Sequence, residues 1–251
     1  MIIYITFKDN KRMPLVVTLS DSGELTIYNT RNNYKNIVNK IEADKNTCFC
    51  FGEENKLIYS INNQVFIYDI KKCKKINSII IEGSNIISIK YDRIRKYIII
   101  TFNNRRDIYD SKLKFIESKD DEIKDIVVDM NGFTNYIKNN IIYYHIGPSG
   151  SVLSTYSNNY NEIFEQIFID RKTGLYYVVT NYRNSKRYLR DIIHDISYDV
   201  SDVQLVHDKN IYYLKDGIIR ILNVKNKNET IEEDYSRFDD TQKIIKFSYE
   251  I

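Results

Sequence analysis

Leu15-Val16-Val17-Thr18-Leu19-Ser20-Asp21-Ser22-Gly23-Glu24-Leu25-Thr26-Ile27-Tyr28-Asn29 decides the fold. The first part is a short, nearly continuous apolar run rich in β-branched residues, the pattern of a buried strand. Asp21-Ser22-Gly23 is a tight turn, since Asp bonds its own backbone and Gly supplies positive φ. Leu25 and Ile27 then alternate with Thr26 and Tyr28, and the strand ends on an aromatic and a turn former. Upstream, Ile3, Ile5 and Phe7 alternate with Tyr4 and Thr6, and Asp9 to Arg12 is a polar turn. Downstream, a further apolar piece spans Ile37–Ile41. The stretch is therefore the middle of a unit of four strands.

The same unit recurs. Thr47–Phe51, Leu57–Ile61, Val65–Asp69 and Lys75–Ile81 form a second, with Asn62-Asn63 as its turn. Ile86–Tyr91, Tyr97–Phe102, Asp107–Asp110 and Leu113–Ile116 form a third, with Asn103-Asn104 as its turn. The endings Ile27-Tyr28-Asn29, Ile67-Tyr68-Asp69 and Ile108-Tyr109-Asp110 fall about 40 residues apart, the period of one four-stranded propeller blade. Fainter units follow. The fourth takes Ile126–Met130, Phe133–Ile137, Ile141–Ile146 and Val152–Tyr156, with the loop Gly147-Pro148-Ser149-Gly150 inside it. The fifth takes Ile163–Ile169, Leu175–Thr180 and Arg187–Ile192. The sixth has Val203–His207, Ile211–Leu214, the turn Asp216-Gly217 and Ile218–Asn223. After the acidic stretch from Glu232 to Asp240, Ile244–Tyr249 is one more strand. Amphipathic helix periodicity is scarce; Glu162–Phe168 fits a short helix, but its alternation suits a strand as well. The expectation is an all-β chain, a β-propeller of about six four-stranded blades over residues 1–251, with a possible incomplete seventh. The last strand is expected to pair with N-terminal material and close the fold, or else to begin that extra blade.

Composition agrees. In 251 residues, 43% are hydrophobic and 28% charged, enough apolar material for a sizeable core. The 22 Tyr, with no Trp, favour half-buried strands, and Asn takes much of the turn role that 8 Gly and 2 Pro cannot fill. The net charge of +3 names no partner. Cys48, Cys50 and Cys73 leave one thiol over in any disulfide scheme; Cys48 and Cys50 point to one strand face and read as small buried hydrophobes in a reducing compartment. The apolar start Met1–Phe7 meets Lys8 and Asp9 too soon for a signal peptide, and no run nears the ~18 apolar residues of a membrane span. An intracellular location, cytoplasmic or nuclear, is expected, and the sequon Asn228-Glu229-Thr230 is read as chance.

At Asp21–Asn29 and at Asp216–Asn223 the chain resembles the WD40 repeat family. That family ends a blade's third strand on Trp-Asp. Tyr68-Asp69 and Tyr109-Asp110 stand in that place, and the resemblance implies that each Tyr plugs the space between blades. The Gly-His pair is absent, since His145, His194 and His207 do not follow Gly, so its hydrogen-bonded tetrad is not carried over. The resemblance implies a rigid platform for assembling other molecules, and no reaction.

No catalytic signature stands out. The three His give no triad pattern. His194 lies in Asp191-Ile192-Ile193-His194-Asp195 and reads as a surface-loop residue; His145 and His207 sit at strand ends. Ser20-Asp21-Ser22-Gly23 is similar to the Asp-box of sialidase propellers, but its serine is one position off, so it is read as a hairpin turn. Phe102-Asn103-Asn104-Arg105-Arg106 resembles the paired-Arg motif of phosphoinositide-binding propellers without its Gly. Neither a phosphate-cradling loop nor a dinucleotide turn is present. No catalytic residue, metal site or cofactor is expected.

Charge placement is the remaining signal. With strands lettered a to d outward, a–b and c–d turns of a propeller share one edge, and b–c and d–a turns the other. The first edge collects Lys71, Lys72, Lys74 and Lys75 in one turn and Arg93, Arg95 and Lys96 in the next blade's turn, with Glu53 and Glu54 as exceptions. The other collects Glu42, Asp44, Asp120, Asp121, Glu122, Asp195 and Asp199, with Arg105, Arg106, Lys186 and Arg187 as exceptions. The seven basic residues are the candidate binding face. The expected role is a non-enzymatic protein-interaction scaffold, a subunit of an intracellular multi-protein or ribonucleoprotein assembly, with other protein subunits as partners. RNA or DNA backbone, or another polyanion, held on the basic face is the first alternative. A hydrolase-type propeller enzyme is the second.

Overall fold

A computed structural model describes the chain except residues 1, 9–14, 30–35, 83–84, 120–122, 129–133, 146–152, 158–161, 171–172, 175, 183–186, 201–202, 208, 216–217, 232–245 and 251. The described residues contain strands and turns and no helix. They form two compact units, Met1–Asp121 with Glu233–Ile251, and Glu122–Glu232.

The first unit holds three sheets. Sheet one has β1 (Ile2–Lys8), β2 (Leu15–Ser20), β3 (Glu24–Asn29) and β4 (Asn36–Glu42). Sheet two has β5 (Phe49–Phe51), β6 (Lys56–Ile61), β7 (Gln64–Asp69) and β8 (Lys74–Ile80). Sheet three has β9 (Ser88–Asp92), β10 (Tyr97–Thr101), β11 (Arg106–Asp110) and β12 (Phe115–Lys119). The second unit holds three more: β13 (Ile123–Val128) to β16 (Leu153–Ser157) through β14 (Thr134–Lys138) and β15 (Ile141–His145); β17 (Glu162–Ile169), β18 (Tyr176–Tyr182), β19 (Arg187–Asp191) and β20 (Ile196–Tyr198); and β21 (Val203–His207), β22 (Asn210–Lys215), β23 (Ile218–Asn223) and β24 (Glu229–Ile231). In every sheet each of these strands pairs antiparallel with the next in sequence, as short turns require.

The hairpin from Leu15 to Asn29 forms as its sequence dictates. Val17 faces Ile27 and Leu19 faces Leu25, and all four are buried. The Gly23 N–H donates to the Ser20 carbonyl at 3.1 Å, and the Gly23 carbonyl accepts the Ala43 N–H at 2.8 Å. Gly23 has φ +81°, and a Cβ there would sit 2.9 Å from the Ala43 carbonyl oxygen. Gly23→Ala is therefore expected to destabilise by about 1–3 kcal/mol, the scale of backbone strain at such a position. Chemical denaturation measures it, and a wild-type midpoint would show that the turn relaxes freely.

The strands bury their faces against the neighbouring sheet. Between sheets one and two, Leu15, Val17, Leu25 and Ile27 meet Phe49, Phe51, Leu57 and Tyr59 in one cluster with Tyr68. Between sheets two and three, Cys50, Ile58, Val65 and Ile67 meet Ile89, Ile98, Ile100 and Tyr109. Tyr68 and Tyr109 are each 4% exposed. Each lies on the third strand of its sheet and in the cluster shared with the sheet before it, as the recurrence predicts. The Asn39 side-chain amide, on β4, donates to the Tyr68 hydroxyl of the next sheet. Tyr59 stacks on Phe66 with centroids 5.1 Å apart, and burial pushes its hydroxyl up to about 12. Cys48 and Cys50 pack into the cluster between sheets two and three, and none of the three cysteines is in a disulfide. In the second unit, Ile137, Ile142, Phe164, Ile167 and Val178 form one cluster, and Tyr177, Leu189, Val203, Val206 and Ile211 belong to another.

Two details correct the sequence reading, and one open alternative closes. The outer strand of sheet three starts at Phe115, not Leu113, because Leu113 has φ +63° inside the turn. The fifth and sixth units also have fourth strands, β20 and β24, of three residues each. Pieces that short carry no visible alternation. Glu162–Ile169 is a strand throughout.

The C-terminal strand β25 (Lys246–Glu250) runs parallel beside β1, from Tyr4 opposite Lys246 to Lys8 opposite Glu250. It is the fifth strand of sheet one rather than the start of a seventh sheet. The acidic stretch before it, Glu232 to Asp240, and the turn Asp216-Gly217 lie outside the described residues.

Candidate interaction surface

The turns that follow the third strands β7, β11, β19 and β23 are built alike. The Asp69 carboxylate accepts the Lys72 N–H at 3.0 Å. Asp110 accepts from Lys112 and Lys114, both at 2.8 Å. Asp191 accepts from Ile193 at 3.0 Å and His194 at 3.1 Å, and the Asn223 side-chain Oδ1 from Lys225 at 3.0 Å. The first-to-second strand turn of sheet three has the same device, with Asp92 accepting from Ile94 at 2.9 Å and Arg95 at 3.1 Å. Asp and Asn hold turns this way because their short side chains reach the backbone two or three residues on. The acidic member of each Tyr-Asp ending is thus a turn cap.

On the first unit these turns share one edge. The Ile70 N–H donates to the Asn55 carbonyl at 2.9 Å, tying the turn after β7 to the turn after β5. Lys96 reaches from the turn after β9 to Glu53 at 2.9 Å. Lys71 and Lys72 lie in the turn after β7, and Arg93, Arg95 and Lys96 in the turn after β9. Lys74 and Lys75 do not lie in that turn; they begin β8, opposite Asp69 and Tyr68, because Asp69 closes the turn within three residues. Lys75 sits over the Phe66 ring, 4.3 Å from its centroid.

The caps and neighbouring acids take up part of this charge. Lys72 lies 3.8 Å from Asp69 and Arg95 lies 3.8 Å from Asp92. The salt bridge to Lys96 holds the Glu53 carboxyl below its ordinary value, and Lys96 is raised by the same bond. Lys71, Lys74 and Lys75 are exposed and in no ion pair among the described residues. On the other edge, Asp44 is spent on the backbone: its two oxygens accept from Asn46 at 2.7 Å and Asn62 at 3.1 Å. Asp195 moves to the third-to-fourth strand turn of its sheet, since β20 follows it. Asp120, Asp121 and Glu122 lie outside the described residues.

The paired arginines are used locally. Arg105 donates to the Glu82 carbonyl at 3.1 Å, lies 3.1 Å from Asp107, and covers Phe102 at 4.6 Å. Arg106 is 6% exposed. The exposed His194 ring has its Nδ1 2.8 Å from the buried Asp191 carboxylate, so it closes its own turn. The side chains of His145 and His207 lie outside the described residues. Among the described residues no three His, Cys, Asp or Glu side chains are grouped to hold a metal, and no helix is long and apolar enough to cross a membrane.

Sequence reasoning missed two constellations. One is an ion cluster in the second unit: Arg190 donates to both Glu162 oxygens, at 3.1 and 2.9 Å, and to Asp195 at 3.0 Å. Glu162 lies 28 positions from Arg190, so no local spacing announces the cluster. The other is the outer strand β8, whose run Ile76-Asn77-Ser78-Ile79-Ile80 holds no charge. That signal is visible in the sequence once the strand is known to be outermost.

Six small antiparallel meanders, three in each unit, define the chain as a six-bladed β-propeller. No family model matches it, and no curated protein does. Among solved structures it is similar to Hsv2 of Kluyveromyces lactis with a complete loop 6CD, also a β-propeller, at 12% identity and a TM-score of 0.58, covering 90% of this chain and 74% of that one. At that identity the likeness shows the fold alone.

Proposed function

We propose that the chain is a non-enzymatic scaffold of WD40-like blades, a subunit of an intracellular assembly that engages an acidic protein surface through the basic edge of its first unit. The observation that supports this reading is the continuity of that edge. Bonds between turns, Ile70 to Asn55 and Lys96 to Glu53, bring Lys71 and Lys72 into line with Arg93 and Arg95. Potentials of neighbouring turns add within a Debye length of about 8 Å at physiological salt. The local field is positive although the net charge is only +3, and such a field raises association rate more than final affinity. The turns themselves depend on Asp69 and Asp92 accepting backbone N–H groups.

Lys71→Glu and Lys72→Glu combined are expected to leave the fold intact, because both side chains are exposed and a contact as long as Lys72 to Asp69, 3.8 Å, contributes little to stability. Association with the assembly should slow by ~10-fold or more, most at low salt. Affinity purification of tagged wild type and variant from the native cells, with and without nuclease, measures this. Equal recovery of partners by the variant refutes the basic edge. Loss of all partners on nuclease treatment of the wild type would assign the edge to nucleic acid instead.

A further inference from the structure

We infer that the open edge of β8 takes an extended, acidic peptide segment of a partner protein as an added antiparallel strand; this rests on the scaffold reading above and specifies its partner. The outer strands of sheets one, two and three differ in how their edges are protected. Exposed edges ordinarily carry charges that discourage pairing. On β4, Lys40 bridges Glu24 at 2.8 Å and the strand ends in Glu42. On β12, Lys119 bridges Glu117 at 3.0 Å within the strand. β8 is seven residues long, holds no acid, and keeps its charges at one end, in Lys74 and Lys75.

From Ile76 onward β8 is uncharged, with Ile76 44% and Ile80 65% exposed. The Ile81 N–H donates back to the Asn63 carbonyl at 2.9 Å. Strand alternation then turns the backbone groups of Ser78 and Ile80 outward. The Ser78 N–H rests on the Asn77 side-chain oxygen at 2.9 Å, a bond that an incoming carbonyl replaces. Asn77 in turn donates to the Lys112 carbonyl of the next sheet at 2.5 Å, which pins the strand. Main-chain pairing supplies affinity in such strand addition, and side chains supply selectivity. Lys74 and Lys75 at the start of β8 and Lys71 in the turn before it, in no ion pair among the described residues, select acids at the C-terminal end of an antiparallel peptide. Apolar residues further back meet Ile80. Sheet one already takes an added strand at its other edge, where β25 joins β1, there in parallel, from a distant part of the chain.

The probe is a fluorescein-labelled peptide of alternating Val and Thr ending in two Asp-Glu pairs, read by polarisation and by amide hydrogen exchange. Binding to the full chain should weaken with salt and should slow exchange at Ser78 and Ile80. Ser78→Pro removes an outward N–H without touching the bonds to β7, and Ile80→Lys charges the edge; each should weaken binding ~10-fold or more at an unchanged melting temperature. Ile80→Lys changes an exposed side chain and keeps the test valid if the proline variant fails to fold. Wild-type binding by both variants, no exchange protection, or no binding at about 1 mM peptide overturns the strand-addition proposal. If Lys71→Glu with Lys72→Glu still abolishes association with the native assembly in those cases, the basic-edge reading stands alone. A self-associated wild type that Ile80→Lys makes monomeric would assign the edge to a second copy and likewise overturn the peptide.

Discussion

Tyr68→Ala will lower stability by about 3–5 kcal/mol, the range for truncating a large buried aromatic. The side chain is 4% exposed and fills the space between sheets one and two, beside Leu25, Ile27 and Phe51. Truncation leaves a cavity that two rigid sheets cannot close. It also strips the Asn39 amide of its acceptor on the neighbouring sheet, so a polar group near the interface loses its partner. Tyr68→Phe keeps the ring and removes only that bond, and should cost about 1 kcal/mol. Urea denaturation of the two variants separates packing from hydrogen bonding. A Tyr68→Ala midpoint close to wild type would show that the ring does not join the sheets. Tyr109 occupies the matching position in sheet three, edge-on to Phe115 at 5.6 Å.

Arg190→Met should cost a similar amount, about 3–5 kcal/mol, because it leaves a buried carboxylate without its counterion. Glu162 has a side chain 6% exposed, and Arg190 one that is 19% exposed. Arg190 also covers the Tyr156 ring at 5.7 Å and so links three strands, β16, β17 and β19. The decisive comparison is the double variant Arg190→Met with Glu162→Gln. Removing both charges should recover much of the loss, since the cost lies in the stranded charge rather than in the pair. If the double variant is as unstable as the sum of the single ones, the two residues act independently and the cluster is not a unit. Asp195 matters less here, being 75% exposed at its side chain.

Local pattern alone determined most of the architecture. Leu15 to Asn29 states a strand, a turn and a strand because apolar alternation and turn residues are properties of neighbouring positions. Repetition of Tyr with Asp or Asn every 40 residues or so then implied equal blades. The same pattern placed Tyr68 and Tyr109 at the ends of third strands, where both are buried. It also sorted Lys71, Lys72, Arg93, Arg95 and Lys96 into turns, because turn order follows strand order. Tertiary structure decided what depends on partners distant in sequence. Lys74 and Lys75 left the turn for β8 because one carboxylate, Asp69, closed it early. The Asp of each Tyr-Asp ending became a cap through bonds no composition shows. Arg190 found Glu162 across 28 intervening steps of chain, and β25 chose the edge of β1 over a new sheet. Strand pairing and burial couple residues by proximity in space, so the charge that remains available on the basic edge, and the edge of β8 beside it, emerge only when the sheets are assembled.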